Sequence, residues 1–131
     1  VIPMFIGFLE AQAIVLAWRK LPAPRPLTID LLQKIITEDL KAVIEKVEIR
    51  DVQNGAFLAS IFLRTKEGVS IPRDARPSDA IPLALRAGAP IEIGNKVLQR
   101  SEFDRENARA LLEYLELEAN DSEQALYDLE G

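Results

Sequence analysis

Asn54-Gly55 stands between two alternating apolar runs, 43–53 and 56–64, and this pair does most to limit the folds open to the chain. Asn-Gly joins strands tightly because both residues accept positive φ, so the two runs must pair as an antiparallel hairpin. A strict two-residue turn places Glu48 opposite Ile61 and Asp51 opposite Leu58. A three-residue loop, with Gly55 left-handed in a bulge, aligns Val47 with Ile61 and Ile49 with Ala59. The second register gathers the apolar residues on one face and is the one expected. With an antiparallel pair here and helices spread unevenly along the chain, the class is α+β rather than a doubly wound parallel sheet.

The other elements follow from local signals. Residues 1–6 read as a short strand ending at Gly7, and 8–20 as a helix apolar on nearly every side: Phe8, Leu9, Ala13, Ile14, Leu16, Ala17 and Trp18. Such a helix needs cover from its own domain or from a second subunit. Pro3, Gly7, Glu10 and Gln12 interrupt the apolar run 1–21, and no basic stretch precedes it, so neither a membrane span nor a signal peptide is expected. Pro22, Pro24 and Pro26 forbid helix and central strand alike. Thr28 is expected to cap the next helix, with Asp30 in its first turn and Leu31, Leu32, Ile35, Ile36 and Leu40 as its apolar stripe. A short strand over 69–71 and a helix over 77–87 come next, the helix closed by Gly88 and Pro90. A strand over 91–93 and a helix over 104–118, carrying Leu111, Leu112 and Leu115, complete the order β-α-α-β-β-β-α-β-α.

The chain has no cysteine and no histidine. Disulfides and cysteine-ligated zinc are excluded, which is compatible with a reducing compartment; a cytoplasmic location is expected. The usual neutral-pH base is also missing, so any catalysis must use carboxylates, Lys, Arg, Ser, Thr or Tyr, or a metal held by oxygen ligands. The net charge of −5 is unevenly placed: residues 1–100 carry 14 basic against 11 acidic side chains, and residues 101–131 carry 2 against 10. The acidic tail reads as a solubilising end; its functional alternative is competition with phosphate for the weakly basic body.

The most distinctive segment is Asp74-Ala75-Arg76-Pro77-Ser78-Asp79-Ala80-Ile81. As plain structure it is a strand-to-helix junction, with Ser78 capping, Asp79 at the positive end of the dipole and Pro82 in the first turn. The same geometry offers chemistry. Free N–H groups at a helix start hold anions, Arg76 can fork onto a phosphate, and Asp74 and Asp79 are close enough in sequence to share a divalent cation. Glu10, in the first turn of an apolar helix, is either an arginine's structural partner or a third ligand. The sharper reading groups Glu10, Asp74 and Asp79 as catalytic carboxylates around Mg2+ or Mn2+, with Arg76 and Ser78 on the phosphate. Lys66, Arg73, Arg86, Lys96 and Arg100 are candidates for contacts to a nucleic-acid backbone, against the commoner reading of solvated charges.

Asp74 through Ile81 resembles the signature of the bifunctional nuclease domain family. Pro3-Met4-Phe5-Ile6-Gly7 with Glu10-Ala11 and Ala13-Ile14 is similar to that family's strand, glycine and Glu-Ala helix. Arg25-Pro26-Leu27-Thr28 with Asp30-Leu31-Leu32, and Arg86 with Gly88-Ala89-Pro90-Ile91, match in the same order, so the resemblance covers roughly residues 1–98. It implies an α+β fold with a curved or barrel-like sheet, hydrolysis of DNA and RNA with little sequence preference, and a homodimer or higher homo-oligomer. The alternative is a non-catalytic oligomeric binding module or a small-anion sensor. Residues 1–100 would form the nuclease-like domain, without the N-terminal hairpin that members carry ahead of the position of Val1, and residues 101–131 a C-terminal helix and acidic tail. Many members have His where Ile29 stands, so a mechanism needing that histidine does not carry over.

Overall fold

Asn54 and Gly55 both take positive φ, 51° and 77°, and close a two-residue turn between β1 (Val43–Gln53) and β2 (Ala56–Arg64). This is a computed structural model, and it describes residue 2 and residues 4–100. The expected central register is present, Val47 opposite Ile61 and Ile49 opposite Ala59. Its cause differs from the expected one. Next to the turn the register is that of the strict two-residue loop, Gln53 opposite Ala56 and Asp51 opposite Leu58. The extra residue sits at Arg50, and a second irregularity falls at Glu45. The sequence explains both. Apolar residues along β1 are spaced Ile44, Val47, Ile49, Val52, and a step of three puts a strand's side chain on the wrong face unless one residue is bulged out. The two bulges return Ile44, Val47, Ile49 and Val52 to one face.

β2 continues the sheet by pairing antiparallel with β3 (Ser70–Ala75), and β4 (Ile91–Ile93) pairs parallel with β1, giving the order β3-β2-β1-β4. The sheet is mixed and open, where the resemblance implied a curved or barrel-like one. β3 and β4 lie at opposite edges, and α3 (Pro77–Ala87) carries the chain between them. Ala80, Leu83 and Ala84, at i, i+3 and i+4, are fully buried and pack on the face carrying Val47, Ile49, Ala59 and Ile61. α3 ends as expected: Gly88 is left-handed at φ 68°, and the N–H of Ala89 donates to the carbonyl of Ala84 at 2.9 Å.

α1 (Phe8–Trp18) and α2 (Thr28–Lys34) pack on α3. α2 starts one residue earlier than the expected cap. Leu27 is at the cap position, Thr28 is the first helical residue, and Asp30 reaches back to accept the Leu27 N–H at 3.0 Å. A π-helical turn (Ile35–Asp39) follows, in which the Leu40 N–H donates to the carbonyl of Ile35, and the Thr37 hydroxyl donates to the carbonyl of Gln33. A partly buried ion pair links α2 to α3: Arg86 Nε lies 2.8 Å from Asp30 Oδ1, and Arg86 Nη2 donates to the carbonyl of Leu21 at 2.8 Å. Arg86 is therefore committed to the fold rather than to a nucleic-acid backbone.

Two expectations are corrected at the N-terminal end and at α3. Ile2 and residues 4–7 form no strand, and the four-stranded sheet is built from β1 to β4 alone among the described residues. Pro82 lies in the second turn of α3, not the first, and its missing N–H leaves the carbonyl of Ser78 without its helical donor. A short helix unforeseen in the sequence, α4 (Asn95–Arg100), packs against β1 through the fully buried Val97. The expected helix over 104–118 and the tail lie outside the described residues.

Gly94 joins β4 to α4 and touches β1. Its N–H donates to the carbonyl of Ile49 at 2.8 Å, and a Cβ there would lie 3.0 Å from the carbonyl oxygen of Arg50 and 3.3 Å from its Cα. Both obstacles are backbone and cannot swing aside. Gly94→Ala is expected to lower folding stability by about 1–3 kcal/mol, the usual cost of overpacking. Urea unfolding followed by circular dichroism measures it; a midpoint equal to wild type would show that the β4–α4 junction yields freely.

Candidate functional site

The 74–79 segment begins on β3 and ends in the first turn of α3. Strand alternation sends its two aspartates apart. Ala75 pairs with buried Ala59 on the face covered by α3, so Asp74, opposite Ser60, projects from the other face. There its carboxylate lies 2.8 Å from Nη2 of Arg50. Arg50 is the bulged residue of β1, and its guanidinium crosses β2: Nη1 donates to the carbonyl of Ala59 at 2.6 Å and to the hydroxyl of Ser60 at 2.7 Å. One side chain thereby ties three strands together. Re-aiming a side chain is what a bulge does.

Arg76, in extended conformation, caps α3, and Pro77 follows at the first helical position, where its fixed φ suits the helix. Arg76 and Asp79 form a forked pair, Nε to Oδ2 at 2.9 Å and Nη2 to Oδ1 at 3.1 Å. The pair is exposed, and the hydrogen bonds that Arg76 donates to Asp79, the charge of Asp79 and the charge of Glu10 hold the guanidinium above its ordinary pKa. Glu10 is half-buried and folds back over Gly7, where a Cβ would collide with its Oε2. So Glu10 and Asp79 act on the same arginine, while Asp74 belongs to Arg50.

The anion-holding capacity of the helix start is smaller than the sequence promised. Pro77 has no N–H, and those of Asp79 and Ala80 both donate to the carbonyl of Arg76 at 3.0 Å. Ser78 keeps its N–H in the first turn but is not the cap; its side chain is buried, 9% exposed. No group of three acidic side chains is gathered to hold a metal ion among the described residues. Of the other basic candidates, Arg73 is exposed on β3, Lys66 lies in the β2–β3 turn, and Lys96 lines a cleft.

That cleft, about 420 Å3, runs between the turn end of β1 and the start of α4, lined by Glu48, Arg50, Asp51, Gln53, Asn95 and Lys96 among others. Arg50 is thus both its wall and the anchor of Asp74. Arg50, Ser60 and Gly94 were missed from the sequence. Arg50 had a signal, the three-residue apolar step from Ile49 to Val52; Ser60 and Gly94 had none.

The family profile of the bifunctional nuclease domain matches residues 1–106. An uncharacterised protein of Mycobacterium tuberculosis is 37% identical over 118 residues, covering 86% of this chain and 69% of the relative. Bifunctional nuclease 1 of rice, Oryza sativa subsp. indica, is 28% identical over 98 residues, which are 73% of this chain and 29% of the rice protein. No described helix is long and apolar enough to cross a membrane. The ordered motifs, the helix-start arginine pair and the profile spanning the whole described fold agree: the chain belongs to the bifunctional nuclease domain family.

Proposed function

We propose that this domain hydrolyses phosphodiester bonds of DNA and RNA at the start of α3, with little sequence preference. The observation carrying this reading is the forked Arg76–Asp79 pair, exposed at the family's signature segment. An arginine fork that fits a carboxylate also fits a phosphate. Because the pair is solvent-exposed, opening it costs little, and a phosphodiester can take Asp79's place on Arg76. That exchange does two things at once. Arg76 offsets charge developing on the phosphoryl oxygens, and the released Asp79 becomes free to take a proton from the attacking water. The water oxygen bonds to phosphorus, the bridging P–O bond breaks, and solvent protonates the departing oxygen. Nothing in this scheme needs a 2′-hydroxyl, which suits both nucleic acids.

Mg2+ or Mn2+ is the cofactor proposed for the acidic set. Glu10, Asp74 and Asp79 do not form a three-carboxylate cage in this arrangement, so the steps above are assigned to the chain's own side chains. The second reading is a non-catalytic binding module. It is favoured by the arginine partners of Asp74 and Asp79, which let both aspartates serve the fold alone.

The test is cleavage of labelled single-stranded DNA and RNA with Mg2+, Mn2+ or EDTA, comparing wild type with Asp79→Asn of unchanged circular dichroism. Loss of a general base lowers the rate by about 10²–10⁴-fold, and that loss in the variant is the expected result. Equal rates would move the chemistry elsewhere, and no cleavage under any condition would leave the binding module.

A further inference from the structure

Gly7 caps α1 at φ −70° and ψ 160°, an extended backbone that any residue adopts. Its missing side chain is therefore a matter of space, not of conformation. A Cβ at Gly7 would fall on Oε2 of Glu10, and would lie 3.1 Å from Cδ and 3.5 Å from Oε1. Glu10 thus rests its whole carboxylate on the bare Cα of Gly7, at the positive end of α1. It is half-buried there and makes no hydrogen bond or ion pair with any described residue.

The complementary group is on Arg76. A guanidinium offers more than one forked edge. Asp79 takes the edge made by Nε and Nη2, and Nη1 bonds to no described residue. α1 packs on α3, and the charge of Glu10, in the first turn of α1, reaches the guanidinium at the cap of α3.

We propose that Gly7 and Glu10 position Arg76 for its phosphodiester: Glu10, seated on Gly7, takes the Nη1 edge while the phosphodiester displaces Asp79 from the Nε edge. This role rests on the reading of Arg76 as the phosphate holder and adds what keeps that side chain aimed. The Arg76 side chain is 68% exposed, and without Asp79 it is free to sweep through its rotamers. A carboxylate on its far edge restricts that motion and leaves the Nε edge to the phosphate. The same negative charge opposes the phosphate in the ground state, so Glu10 favours turnover over affinity. Glu10 touches neither the phosphorus nor the water in this scheme and is a positioning residue; Gly7 acts through it.

Gly7→Ala separates position from charge, because Glu10 remains but must leave its seat. The displaced atoms are the far end of a flexible side chain, so circular dichroism and the unfolding midpoint should stay near those of wild type. Cleavage of labelled single-stranded DNA at fixed Mg2+ is measured for Gly7→Ala, Glu10→Gln and the double variant. Each single variant is expected to lower kcat about 10-fold, and the double variant to match the singles, since both changes break one contact. Glu10→Gln should also lower KM, a split that a smaller folded fraction does not produce.

The second readout needs no cleavage. Inorganic phosphate is titrated into isotope-labelled protein, and the Arg76 guanidinium, assigned by its loss in Arg76→Lys, is followed by NMR. Held at both edges, it should rotate slowly about Nε–Cζ and show separate Nη signals in wild type, but in neither Gly7→Ala nor Glu10→Gln. That pattern supports the positioning even where wild type cleaves nothing, an outcome that sinks only the hydrolytic reading. Phosphate that leaves the wild-type Nη signals averaged overturns the proposal. So does a Gly7→Ala variant that matches wild type in both readouts, because Glu10 would then need no seat. Cleavage by Glu10→Gln that returns on raising Mg2+ overturns it too, by making Glu10 a metal ligand.

Discussion

Arg86→Ala is expected to cost about 3 kcal/mol of folding stability, a large part of the 5–15 kcal/mol that holds a domain of this size together. Both members of the Arg86–Asp30 pair are 17% exposed. Truncation leaves Asp30 shielded from water with no cation beside it. It also removes the donor to the carbonyl of Leu21, at the start of the proline segment. Breaking one side of a shielded pair costs far more than the pair contributes over an apolar substitute, because the surviving charge is stranded. Arg86→Lys keeps the charge but cannot span Asp30 and the Leu21 carbonyl together, so it should fall between wild type and alanine. Thermal unfolding should register the alanine variant as a drop of about 10 °C or more. An unchanged midpoint would mean that water already solvates Asp30 well enough to replace the arginine.

That pair also shows why a recognisable motif need not be a site. Arg86 and Asp30 both stand in segments carrying the family resemblance, and Arg86 was grouped with residues able to touch a nucleic-acid backbone. The structure spends both on joining α2 to α3. A charged residue in a motif looks the same from the sequence whether its partner is a substrate or another helix; only the packing of two helices 56 positions apart decides.

Much of the fold was legible because its signals are local. Asn54-Gly55 fixed the hairpin, Pro77 and Gly88 bounded α3, and the 91–93 strand was read within its limits. The bulges were written in the apolar spacing of β1, but their effect was credited to the turn. Either location gives the same central register, so the central residues alone cannot separate them. α4 is six residues long with one fully buried side chain, too short to show a period. The candidate site was harder. Asp74 and Asp79 are five residues apart in a segment that changes from strand to helix, so sequence proximity said nothing about direction. Strand alternation then turned Asp74 onto the face away from α3.

Arg50→Met tests what that turn of direction means, and is expected to destabilise the domain by about 2–3 kcal/mol. The loss is concentrated on β2. Ala59 is fully buried and Ser60 is 8% exposed, so the Ala59 carbonyl and the Ser60 hydroxyl lose a charged donor where water reaches them poorly. Asp74 loses little, since its side chain is 76% exposed and water replaces the arginine. Asp74→Asn should therefore leave stability within about 0.5 kcal/mol of wild type. The two substitutions break the same contact with unequal structural cost, and this separates fold from chemistry. If Asp74 belongs to the reaction, Asp74→Asn lowers phosphodiester cleavage in a domain of normal stability. If Asp74 only steadies the strand end, cleavage by Asp74→Asn matches wild type, and Arg50→Met loses activity only in step with its folded fraction. A double-mutant cycle on stability completes the argument: Arg50→Met and Asp74→Asn together should cost little more than Arg50→Met alone, because the arginine's weight rests on β2. An additional loss well beyond the single variant would instead show that Asp74 reaches the core by a route other than Arg50.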